Sequence, residues 1–396
     1  MTEQLTKERC RQIRILLSAM AVTAVLAIMA ESVFESLFER LSVRSVVWDF
    51  WFGKCLIPKG GVIGTAVFAA AVLLIFSLRY PGAARPLAAT AWGLLTVVYL
   101  LRSVLVLYRL WWESAVQTTP SDLTAAHRTA IVDSGALILL FLLLAVCALC
   151  KEPAPANAVC ALIGISALLP VETLLHAADI DAAPLLMGPA ASMHGLLLGA
   201  LWVRYGSRRA LPDALLWSAL AALLLRTVVP LGSEYPLPYP SSAGLSAQAT
   251  AWLTAAGILT VLIGRYCAGR RAGHIVRAAG YGVTAAGLLA YAVGALSVLP
   301  TIEGAVRAAG LCCLAAAAIG QAVCAAKGRP MRGACRLVLC AVFLLTMLPW
   351  GISILEGKRI FVQRLHAAVN IVSASLAIPL ALLAAGIACE SEEAAG

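Results

Sequence analysis

Residues Gly61–Tyr80, GVIGTAVFAAAVLLIFSLRY, decide the fold class. The run holds a single charge, Arg79, next to its end, and no polar face at any helical spacing. About 20 helical residues rising 1.5 Å each match a bilayer hydrocarbon core roughly 30 Å thick. A helix apolar all round has to be covered by protein or by lipid.

Comparable runs recur on both sides of it, at about 13–30, 86–108, 131–150, 155–175, 184–204, 211–233, 246–266, 275–299, 302–326, 332–355 and 361–388. Over the whole chain 61% of residues are hydrophobic, 13% are charged, and the mean hydropathy is +0.90. Soluble domains carry about twice that charged fraction, so a soluble core of this composition lacks the polar surface to cover it. The expectation is an all-α polytopic membrane protein with twelve transmembrane helices in two halves of six. Its sections are a cytoplasmic segment 1–12, a first half 13–204, a second half 205–388 and a short acidic tail 389–396.

Lys and Arg set the orientation, because cytoplasmic loops are enriched in them. With the N-terminus inside, most of the 30 basic residues fall on the inner side, among them Lys7, Arg14, Arg79, Lys151, Arg208, Arg271, Lys327 and Arg336. Both termini are then cytoplasmic, and the host is the cytoplasmic (cell inner) membrane. The net charge of +10 is spread over these short loops and does not form one basic face, so no nucleic-acid contact is expected. The first segment is expected to stay in the chain, because Glu31 and a polar stretch follow it without a small-residue cleavage site. Beyond it, Phe34, Leu37, Phe38 and Leu41 recur at i, i+3, i+4 and i+7, which reads as an amphipathic helix near 31–52 on the outer leaflet. The tail Glu390-Ser391-Glu392-Glu393 is too short to fold alone; it can pair with basic inner loops, but an exposed end is expected to be disordered.

Of twelve cysteines only Cys55 falls in an outer loop, so no disulfide framework is implied. Cys147-x-x-Cys150 lacks a second pair or nearby histidines and reads as packing at a helix end. No cofactor and no dedicated metal site are expected.

Ionisable residues within the bilayer mark candidate sites. Asp133, Glu172, His176, His194 and His366 are the candidates for ligand or proton coupling, with Glu172 and His176 four apart on one helix face. Arg226, Arg307 and Arg364 are candidate anchors for an anionic group, or partners in structural ion pairs. Pro170, Gly188 and Pro189 are expected to break helices 5 and 6, and interrupted helices accompany substrate sites in transporters.

Twelve helices with both ends inside, together with Gly269-Arg270-Arg271 between helices 8 and 9, resemble the major facilitator plan. The counterpart loop Arg79-Tyr80-Pro81-Gly82-Ala83-Ala84-Arg85 is degenerate, and the family's acidic residue is missing from both loops. The resemblance implies two halves rocking around a midplane site, hence a secondary transporter of a small organic solute entering from outside. Two other classes stay open. A ligand-sensing membrane domain of a regulator would bind without flux, and a polytopic glycosyltransferase with a lipid-linked donor would use Glu31, Glu35, Glu39 or Asp49 in its first outer loop.

Overall fold

The computed structural model describes residues 6–41, 62–116, 122–167, 183–207, 210–228, 247–266, 270–298, 302–329, 331, 333–348, 352 and 377–393. Within them the chain is all α. Twelve α-helices follow one another: α1 Lys7–Leu41, α2 Val62–Arg79, α3 Ala84–Val116, α4 Asp122–Leu149, α5 Ala156–Ser166, α6 Ala183–Tyr205, α7 Leu211–Val228, α8 Ala247–Tyr266, α9 Arg270–Val298, α10 Ile302–Ala326, α11 Ala334–Val342 and α12 Ala377–Glu393. Five stretches are long and apolar enough to cross a membrane, namely Lys7–Met29, Pro81–Val104, Ala249–Tyr266, Arg271–Leu296 and Gly304–Ala326. The chain is accordingly a membrane protein.

Three elements differ from the sequence expectation. First, α1 runs unbroken for 35 residues, so 31–41 prolongs the first helix and forms no separate surface element. No glycine or proline lies between Lys7 and Leu41 to interrupt it. Second, α6 continues through Gly188 and Pro189. A proline removes one N–H donor near the helix start, and the remaining ladder carries the helix past it. Third, α12 continues to Glu393, so the acidic stretch is helical and not a disordered tail. A local irregularity appears instead after α11, where Phe343–Met347 form a π-helical turn. Such turns insert one extra residue per turn and re-aim the side chains that follow.

The chain divides into two compact units, residues 1–206 and 207–396. In the first, each helix packs on the next from α1 to α6, and α6 returns to α1. In the second, the same order runs from α7 to α12, and α12 returns to α7. Among the described residues, each unit is therefore a closed ring of six helices. The first ring is filled by Met20, Ala70, Leu95, Leu137, Leu140 and Phe141, and the second by Leu216, Leu223, Leu288, Leu314, Leu383 and Ile387. Leu26, Leu101, Leu139, Val293 and Ile319 stand exposed on helix faces, as residues in contact with lipid do.

The tightest packing lies between α8 and α9. Gly257 on α8 faces Gly280 and Thr284 on α9, Gly264 faces Gly273 and Arg277, and Gly287 on α9 faces Thr254 on α8. A Cβ on Gly280 would lie 2.6 Å from the Val261 backbone nitrogen and 2.9 Å from the Gly257 carbonyl oxygen. A Cβ on Gly264 would lie 2.8 Å from the Arg277 backbone nitrogen. Small residues at these contacts let two backbones touch, which supplies dispersion energy where lipid removes any hydrophobic drive between helices.

Candidate functional site

The first unit has a polar centre in an otherwise apolar ring. On α3, Tyr99, Arg102 and Ser103 are spaced i, i+3 and i+4 and share one face, which the helix turns inward along with Leu95. Tyr99 is 1% exposed and Arg102 is 2% exposed, while Ser134 on α4 and His194 on α6 are each 2% exposed. The Tyr99 hydroxyl is hydrogen-bonded to His194 Nε2. Their rings stand edge to face, 5.7 Å apart at 85°. The Ser103 Oγ is buried and has no hydrogen-bond partner among the described residues.

An aromatic line leads to this pair. Phe141 sets its ring 5.7 Å from Tyr99 at 60° and stacks on Trp92 at 6.0 Å and 14°. Trp92 in turn lines a small, partly open cleft, whose other walls include Ile13, Leu74, Leu201 and Arg204. The cleft lies near the basic start of α1.

Chemically, a tyrosine and a histidine sharing one hydrogen bond can hold a proton in two ways. With neutral imidazole the phenol donates to Nε2; with imidazolium Nε2–H donates to the phenol oxygen. The pair thus tolerates a change of protonation without losing its contact.

The second unit has a charged cluster where α8 ends and α9 begins. Arg265 on α8 binds Asp213 on α7 through Nε, and its Nη1 lies 3.0 Å from Glu390 Oε1 on α12. Arg277 Nη1 on α9 approaches the same Oε1 at 3.4 Å, and Tyr281 donates its hydroxyl to Glu390 Oε2. Tyr266 donates to Asp213 Oδ2 at 3.3 Å, and Arg277 Nη2 donates to His274 Nδ1 at 2.6 Å. Among the described residues, two carboxylates thus meet two guanidiniums. Asp213 is 7% exposed, and its ion pair with Arg265 is what makes that burial tolerable.

Of the residues singled out in the sequence, His194 joins Tyr99 in the first unit, and Arg307 is buried on α10 in the second. Asp133 lies on α4, Arg226 on α7, and Gly188 and Pro189 on α6, with side chains outside the described set. Pro170, Glu172, His176, Arg364 and His366 lie outside the described residues.

Tyr99, Asp213, Arg265, Arg277 and Glu390 were not singled out, although helical spacing marks the last four. On α12 the buried stripe Leu380, Leu383 and Ile387 continues three residues on to Glu390. On α7 the stripe Leu223, Leu220 and Leu216 leads back to Asp213. On α8, Ala251, Ala255, Ile258 and Leu262 lead to Arg265, and on α9 Leu288, Thr284 and Tyr281 lead back to Arg277. A charge at the end of a core stripe points at the core, and four such charges ending at one level meet.

No protein-family model, curated protein or solved structure matches the chain. The major facilitator likeness therefore rests on the sequence pattern alone.

Proposed function

We propose that the chain crosses the cytoplasmic membrane twelve times with both termini inside, and that it carries a small organic solute from the extracytoplasmic side as a proton-linked secondary transporter. The supporting observation is the Tyr99–His194 pair. A titratable imidazole is expensive to bury in a membrane protein, and it persists where it has a polar partner and a task. Asp133, Glu172 and His176 are further coupling candidates in the same unit, and Arg226, Arg307 and Arg364 remain candidate anchors for an anionic solute.

The test is uptake into proteoliposomes under an imposed pH gradient, with pooled small acids and amines as solutes. Tyr99→Phe removes the hydroxyl while keeping the ring, and His194→Gln keeps a hydrogen-bonding side chain that cannot titrate. Each is expected to lower gradient-driven uptake about 100-fold or more, since a positioned proton-transfer group typically contributes about 10²–10⁴-fold. Exchange without a gradient should fall less, because binding does not need the proton to move. Full gradient-driven uptake in both variants would remove the pair from coupling. Solute binding with no flux in the parent protein would support a sensing domain instead.

A further inference from the structure

We propose that Arg265, Arg277 and Tyr281 form a carboxylate-binding cradle in the second unit, which Glu390 of the same chain occupies and from which a carboxylate-bearing solute displaces it. The proposal deepens the carrier reading, on which it rests for its purpose, by naming the solute class and a site distinct from the polar centre of the first unit.

Three observations carry it. The three donors converge on one carboxylate: Arg265 Nη1 and Arg277 Nη1 reach Oε1 at 3.0 and 3.4 Å, and Tyr281 covers Oε2. Charge-assisted donors on both oxygens are the usual recognition of a planar carboxylate. Next, cradle and occupant belong to different elements. Arg265 lies on α8, and Arg277 and Tyr281 lie on α9, the two helices locked backbone to backbone along the glycine seam. Gly264, one residue before Arg265, faces the Arg277 backbone across that seam, so both arginines start from a point where the two helix backbones touch. Finally, α12 packs on α7 and α11 and more lightly on α10, and it reaches the α8–α9 pair through Glu390. Withdrawing one side chain empties the cradle without disturbing the seam. Asp213 stays on Arg265 Nε when Glu390 leaves, and the guanidinium of Arg277 then faces the vacated site, which favours an anion there.

The test is rescue of the full-length protein in detergent by a free carboxylate. Glu390→Ala should melt several degrees below the parent in chloride buffer. Replacing chloride with acetate or propionate at equal ionic strength should restore most of that loss, and adding Arg277→Gln to Glu390→Ala should abolish the restoration. Equal melting in chloride and in carboxylate overturns the proposal, and so does restoration by inorganic phosphate alone. If Glu390→Ala does not fold, the unaltered chain decides. Succinate at constant ionic strength should raise maleimide labelling of Cys389, the neighbour of Glu390, several-fold when read by peptide mass. Unchanged labelling overturns the displacement. Neither readout uses flux or the Tyr99–His194 pair, so the cradle can fail while the carrier reading stands, and the reverse.

Discussion

Gly280→Ala is expected to destabilise the protein, whereas Gly282→Ala, two residues along the same helix, is expected to leave it unchanged or slightly more stable. The added methyl at 280 meets backbone on α8, the Val261 nitrogen at 2.6 Å and the Gly257 oxygen at 2.9 Å, and backbone cannot rotate away as a side-chain tip can. The α8–α9 pair has to part, and overpacking of this kind costs roughly 1–3 kcal/mol, more for Gly280→Leu. At Gly282 a Cβ has nothing within 4 Å, and alanine is the better helix former by about 1 kcal/mol. Thermal melting of the two purified variants reads the difference in sign. Equal melting temperatures would show that the seam has slack the distances do not suggest.

Arg265→Leu should have a larger effect. Arg265 is 13% exposed and touches two carboxylates, so its loss leaves Asp213 with the Tyr266 hydroxyl and Glu390 with Arg277 and Tyr281. Removing one partner of a buried ion pair costs about 3–5 kcal/mol, because the remaining charge keeps its desolvation penalty. Leucine retains most of the apolar stem, so lost packing contributes little. The double variant Arg265→Leu with Asp213→Leu removes charge from both sides and should recover a good part of the loss. Urea or thermal unfolding of parent, single and double variants checks this. A double variant no more stable than the single one would mean that the pair is held by its packing and not by its charges.

The two predictions test features that differ in how far they can be read from sequence. Glycines at 257, 264, 280 and 287 show a regular spacing, yet the same spacing on helices that never meet has no consequence. Their meaning depends on α8 and α9 being partners. Glu390 is the sharper case. The residues after it, Ser391, Glu392 and Glu393, are polar, which by composition alone places it in a solvated tail. Read backwards along Ile387, Leu383 and Leu380 it continues a buried face. Average polarity suggested one answer and helical phase the other, and phase decides where a side chain points. Tyr99 was passed over for a related reason. A tyrosine inside an apolar run is as good a core residue as a phenylalanine until its hydroxyl is seen to have a partner, and that partner, His194, lies 95 residues away.

Sequence by itself determined that this is a helical membrane protein, because length and hydrophobicity are summed locally along the chain and the bilayer sets the thickness a spanning helix has to match. Tertiary structure alone decided which helices are neighbours, the closing of α6 on α1 and of α12 on α7, and the meeting of Tyr99 with His194 and of Glu390 with Arg265 and Arg277. Those are pairings between distant segments. A buried charge or hydroxyl is made tolerable by a particular partner, and nothing within its own stretch of chain names that partner.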